Sequence, residues 1–368
     1  VIDNRDEVVN YINNKFDKNQ DTEGQDPTQT VTLKVHEKLV PVTPPTDDKP
    51  LEPGTPIDPD APVDPKNPND PLIPTWTEDL INKVKNAETT KEVTRTINYV
   101  DEKGAKVTYT DKGNETTESK TDKVTFTREA KINVVTGNIV YGNWTAKDND
   151  TTFDAVTSPV VKGYILKADQ GSEDGLVTVG GTRVVASTNL TATSENQNVN
   201  VVYTKLGSWT LTPPPGVTPP EGTNFDPKPY PNHPTDPTRP GDPTDPNTPN
   251  VPVIPYVPGY TPKIGDKPLE PVDPNHPENG YKVPPVPTTP GEDTPITYEG
   301  NPQKALVKVV KVEGEGDKKT ETPLTADYVN INGKTGDQIP DGSVTAKIAD
   351  LEKRGYVIDN RDEVVNYI

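Results

Sequence analysis

Few side chains in this 368-residue chain are of types that do chemistry, and their spacing narrows what that chemistry is. There is no cysteine, so thiol nucleophiles, thiolate metal sites and disulfides are excluded. His36, His233 and His276 lie far apart, the last two inside proline-dense sequence. A general base must be positioned as well as titratable, so no triad is expected. Neither a GxGxxG, a P-loop nor an HExxH pattern occurs; the reading is non-enzymatic. Asp148-Asn149-Asp150, with Asp154, offers the oxygens that a calcium ion takes from a loop. The cluster lacks the glycine and closing glutamate of an EF-hand, and a solvated loop is the alternative. Tyr141 and Trp144 are the candidates for stacking on a sugar. Three residues apart on one strand, they would face opposite sides, and core burial is the other reading of Trp144.

Composition sets the class of partner. The net charge is −19, which disfavours nucleic acid and anionic membrane surfaces. No stretch approaches the ~20 apolar residues that span a bilayer, so no direct membrane insertion is expected. The absence of cysteine argues against a eukaryotic secreted origin and suits a Gram-positive surface.

Proline divides the chain. Between residues 77 and 206 only Pro159 occurs. From Pro50 to Pro74, and again from Pro231 to Pro258, a proline falls at every third position. That is the period of polyproline II, and it predicts two solvated rods, the first spanning roughly 75 Å. The intervening Asp58, Asp64, Asp70, Asp236, Asp242 and Asp245 would keep them hydrated. Trp76 and Trp209 flank the proline-poor stretch and would plug its ends against the rods.

The stretch 76–206 must fold by itself. Thr75–x–x–Glu78 followed by Leu80, Ile81 and Val84 predicts a short capped helix. EVTRTINYV (92–100), then Asp101-Glu102-Lys103-Gly104, then AKVTYT reads as a hairpin with glycine at the turn. DKVTFTREAKINVV (122–135), Thr136-Gly137-Asn138 and IVYGNWT (139–145) read as a second. GLVTV (175–179), TRVVAS (182–187) and NVNVVYT (198–204) continue the period-two alternation of strands.

FTREAKINVVTGNIVYGNWTAKDNDTTFDAVTSPVVKGYILKAD (126–169), with RTINYVDEKG before it and VNVVYT closing it, resembles the B2-type domain of lactobacillal mucus-binding (Mub) proteins. QKALVKVVKVEG (303–314), TGDQIPDGSVTAKIADLEKRGYVI (335–358) and TVTLKVHEKL (30–39) are similar, in that order, to a MucBP-type, B1-like repeat. Ser343 would cap its helix and Gly355 end it. The resemblance implies tandem β-grasp (ubiquitin-like) domains on an extended rod. It also implies a bacterial cell-surface location, with cell-wall anchoring through other regions, and host mucin glycoproteins or glycans as ligand.

Residues 357–368 repeat residues 1–12 (VIDNRDEVVNYI) without a change. The reading is a tandem array of multi-domain blocks, an artificial overlap being the alternative. The expected organisation is mainly β with minor α. Residues 1–41 would be the C-terminal half of a B1/MucBP-like domain and 42–75 a polyproline II spacer. Residues 76–206 would be a B2-like domain, 207–300 a proline-rich module or spacer, and 301–368 the first part of the next B1-like domain. Neighbouring repeats would associate head to tail. A bare stalk, and a module binding immunoglobulin or another host protein through a strand edge, are the rival functions.

Overall fold

The computed structural model describes all residues except 13–29, 63, 65, 68, 69, 341 and 368. The chain is mainly β and divides into two compact units: 1–98, 119–156 and 185–199; and 99–118, 157–184 and 200–368.

In the first unit the strand Thr90–Asp101 pairs antiparallel with Lys120–Thr127, in register from Thr90–Thr127 to Ile97–Lys120, and Lys120–Thr127 pairs onward with Thr145–Ala146. Alternation puts Val93, Arg95 and Ile97 inward. Val93, Val124, Phe126, Phe153, Leu190 and Ala192 form one core cluster. At Arg128-Glu129 the chain leaves this sheet and enters another, where Ala130–Asn133 pairs with both Leu39–Val42 and Ile139–Tyr141. The Thr136-Gly137-Asn138 turn forms as read, with Gly137 at φ +68° and Asn133 N–H bonded to Asn138 O.

The helix Glu78–Lys85 is capped by Thr77, whose hydroxyl accepts from Leu80 N–H at 3.2 Å, and not by Thr75. It lies with Val40, Ile57, Trp76, Val84 and Ile132 in a second cluster. The divisions expected at 41/42 and 75/76 therefore run through one packed core. Trp76 is a member of that core rather than a plug.

The first proline run does not extend. Gly54 N–H and Trp76 N–H bond to Trp76 O and Thr55 O, and Ile57 N–H bonds to Pro74 O, so the two ends of the run are tied together. The cause lies in the Asp-Pro pairs. Asp58, Asp64 and Asp70 each accept the N–H two residues on with Oδ1 and the N–H three residues on with the carbonyl. Asp at the first position and Pro at the second are the residues such a turn prefers.

The second unit contains the Asp101–Gly104 hairpin, with Gly104 at φ +81° and Asp101 Oδ1 accepting from Lys103 and Ala105 N–H. Residues 207–300 are a folded module. Ser208–Thr212 pairs in parallel with Thr294–Gly300, which pairs antiparallel with Tyr260–Ile264. Trp209 is fully buried at the centre, edge-on to Tyr230 at 4.7 Å. The cluster around it includes Ile165 and Leu206, so the core continues across position 206. Asn232, inside the second proline run, accepts from Gly163 N–H and donates to Val161 O and Tyr164 O. Asp236, Asp242 and Asp245 again bond the N–H two residues on. The rod expected here is a succession of turns lying on a sheet.

Residues 301–368 add the hairpin Pro302–Val307 with Val329–Lys334, the hairpin Val310–Glu313 with Thr320–Pro323, and the helix Thr345–Lys353. Ile348 and Leu351 face inward, and buried Asp327 is clasped by Arg354 Nη1 and Nη2 at 2.7 and 3.1 Å. Ser343 does not cap the helix; its hydroxyl donates to Pro340 O. Gly355 ends it at φ +88°, with Tyr356 N–H reaching back to Leu351 O.

Candidate functional site

The change of sheet at Arg128 creates the most distinctive surface site. Arg128 N–H donates to Thr89 O at 3.0 Å and Nε to Glu88 O at 2.7 Å, which fixes the side chain at the corner. Its guanidinium carbon lies 3.8 Å from the centroid of the Tyr141 ring and 4.3 Å from that of Trp144. Contacts of this kind contribute about 0.5–2 kcal/mol each. The expectation that Tyr141 and Trp144 face opposite sides does not hold. Residues 142–144 are not strand: Ile139–Tyr141 pairs with Ala130–Asn133 and Thr145–Ala146 with Lys120–Thr127, so the chain changes sheet between the two rings. Alternation lapses there, and both rings converge on one cation.

Tyr141 is 38% exposed, whereas Trp144 is half-buried with one side on the cluster of Val93 and Phe153. The two readings of Trp144 thus coexist. Beside the stack runs an open groove of about 660 Å³ lined by Arg128, Asn143, Thr43, Thr90, Thr127 and Thr145 among others. A guanidinium in contact with two aromatic rings, next to a wall of hydroxyls and an amide, suits a ligand rich in hydroxyl groups. Arg128 was not singled out in the sequence, although the aromatic residues it pairs with were.

The acidic cluster is dispersed. Asp148 and Asn149 sit at φ +57° and +58° in an exposed turn, Asp150 Oδ1 accepts from Thr152 N–H, and the Asp154 carbonyl accepts from Arg95. Among the described residues no group of three His, Cys, Asp or Glu is placed to hold a metal, so Asp148, Asp150 and Asp154 do not form a calcium site. Each histidine is held locally: His36 by Asp3 at 2.5 Å, His233 by the N–H groups of Thr235 and Asp236, and His276 by Glu278.

Residues 84–207 match the family profile of the Muc B2-like domain. This stretch is similar to a Muc B2-like domain. The resemblance to mucus-binding (Mub/MucBP) repeats is upheld, and the domain carries Arg128, Tyr141 and Trp144. Among solved structures, the mucin-binding domain of Spr1345 from Streptococcus pneumoniae is 26% identical, with 32% of this chain and 92% of that one covered and a TM-score of 0.22. The MucBP domain of the adhesion protein from Pediococcus pentosaceus is 29% identical, over 31% and 97%, with a TM-score of 0.19. The type 2 repeat of the mucus binding protein MUB from Lactobacillus reuteri is 21% identical, over 52% and 69%, with a TM-score of 0.23. At such scores the assignment rests on the sequence match. No curated protein matches the chain.

Proposed function

We propose that this chain is a repeat block of a bacterial surface adhesin that attaches to host mucus through mucin glycans. The observation that carries the reading is the Muc B2-like domain at 84–207, a class of binding domain and not of enzyme. The groove lined by Arg128 supplies a fitting contact, a guanidinium for an acidic sugar and threonine hydroxyls for its edges, and the exposed Tyr141 against that arginine adds an aromatic surface for a sugar ring. Residues 301–368 and the sequence of 13–41 belong in this reading to a second, MucBP-like module. Each block binds weakly, and tandem blocks raise the effective concentration of sites so that attachment is multivalent. Among the described residues no helix is long and apolar enough to cross a membrane; the proposed place is the cell wall, with anchoring supplied elsewhere.

The test is binding of the whole chain to purified mucin before and after enzymatic removal of its glycans. Binding to intact mucin alone is expected. Absence of binding in either state overturns the adhesin reading in favour of a stalk, and binding that survives glycan removal overturns the glycan assignment in favour of a protein ligand.

A further inference from the structure

In the module 207–300 the first and last strands are neighbours and run the same way. Ser208–Thr212 lies parallel to Thr294–Gly300, in register from Trp209–Thr294 to Thr212–Thr297. The chain therefore enters the module at one end of this ladder, beside Thr294, and leaves it past the other end, at Gly300. Tension along the backbone pulls the two strands past each other along their common axis. The bonds of a parallel ladder are evenly spaced, so all of them take the load together, whereas strands drawn apart sideways lose their bonds one by one. Other contacts bar the slide. Ser208 N–H and Oγ donate to Asp293 Oδ1 at 2.8 and 2.9 Å, and Gly207 N–H donates to Pro290 O at 2.9 Å. At Gly207 a Cβ would sit 2.5 Å from Glu292 O, so glycine is what lets the entering backbone come this close. Trp209 and Ile296, one from each strand, have no exposed surface and share a cluster, so a slip of one residue drags an indole through a close-packed core. At the exit, Asn301 N–H bonds to Gly259 O at 2.7 Å, and Tyr260–Ile264 holds the other edge of Thr294–Gly300.

We infer that this pair of strands is a shear clamp that carries tension through the chain, a load-bearing function for the proline-rich module. Residues 213–293, with the whole of the second proline run, lie between the two clamp strands and stay out of the load path while the clamp holds. Drawn out fully, 208–300 would add about 300 Å to the length of the chain. Resistance to pulling is set by how fast the clamp gives way under load and not by equilibrium stability. The role does not depend on the ligand proposed above: its test reads force alone, and a failure of mucin binding would leave it standing.

The test is single-molecule force spectroscopy of the full chain, held by a peptide tag at each end. An unfolding event that lengthens the chain by about 300 Å is expected. Thr212→Cys with Thr297→Cys assigns it: these exposed register partners lock the clamp when oxidised, so the event should vanish and return on reduction. A second geometry changes the direction of pull and leaves the ladder untouched. The chain has no cysteine, so Asp266→Cys, in an exposed turn, gives a unique handle to set against the N-terminal tag. Tyr260–Ile264 runs antiparallel to Thr294–Gly300, which puts Asp266 and Ser208 at the same end of the sheet. The strands then peel instead of sliding, and rupture should come at a force several-fold lower, while the urea midpoint of Asp266→Cys matches that of the unsubstituted chain. Equal rupture forces in the two geometries, or an event of about 300 Å that persists with the disulfide closed, would overturn the inference.

Discussion

Arg95 donates from both Nε and Nη2 to one oxygen of Asp122, at 2.8 and 2.6 Å, across the register pair that joins their two strands. The guanidinium has no exposed surface, bonds the Ala186 and Asp154 carbonyls at 2.8 and 2.6 Å, and lies 5.0 Å from the Phe153 ring centroid. One side chain thus ties a strand to two separate loops. Removing it leaves two carbonyls and a carboxylate without their donor. Arg95→Met is expected to destabilise the protein by about 3–5 kcal/mol, measured by chemical denaturation. Asp122 is 37% exposed and regains water when unpaired, so Asp122→Asn should cost roughly 1–2 kcal/mol. Equal losses would show that the carbonyl bonds do not matter.

The proline-rich module supplies a second test. Trp209→Ala empties the centre of the cluster that includes Tyr230, Ile254 and Ile296, and a loss of about 3–5 kcal/mol is expected. If 207–300 were only a spacer, the substitution would leave the denaturation midpoint where it was.

A third concerns acid. Lys263 and Lys334 both bond the Glu299 carboxylate and hold its pKa down to about 2, from an ordinary value of 4.5. A folded value below the unfolded one means that the stability from this group is present above pH 4.5 and is lost as pH falls toward 2. Thermal midpoints should decline across that window. In Lys263→Met the Glu299 titration followed by NMR should move back toward 4.5; an unmoved titration would refute the assignment to these lysines.

A fourth separates binding from packing at the aromatic site. Tyr141→Ala acts on an exposed rim and should reduce mucin binding with only about 1 kcal/mol lost in stability, whereas Arg128→Gln also gives up the bond to Glu88 O from a side chain only 17% exposed and should cost about 1–2 kcal/mol. Trp144→Ala should lower both, since one side of the ring is core and its truncation costs roughly 2–3 kcal/mol, below the range of a fully buried ring. Unchanged mucin binding in all three variants would remove the groove from the proposed site.

Much of the β architecture was legible because it is local. Period-two alternation in Val93–Tyr99 marked the buried face, and Gly104 and Gly137 marked turns that need positive φ. Arg95 shares the parity of Val93 and Ile97, so its burial was written in the pattern, but a charged residue at such a position reads as an edge until its partners are known. The convergence of Tyr141 and Trp144 was not legible, since it depends on the chain changing sheet between them, at residues 142–144. The proline runs were misread for a different reason. A period of three fits polyproline II and a chain of Asp-Pro turns equally well, and the aspartates, taken as solvating charge, decide between them through short-range bonds.

Between Gly54 and Trp76 the turns recur every six residues, at Asp58, Asp64 and Asp70, while the ends of the segment are bonded to each other. Gain or loss of one Asp-Pro hexad alters the loop without moving the residues at its base. Doubling a loop's length costs only about 0.6 kcal/mol in closure entropy. Replication slippage, to which short repeats in a gene are prone, would thus vary how far this loop projects while leaving the core of Ile57 and Trp76 intact.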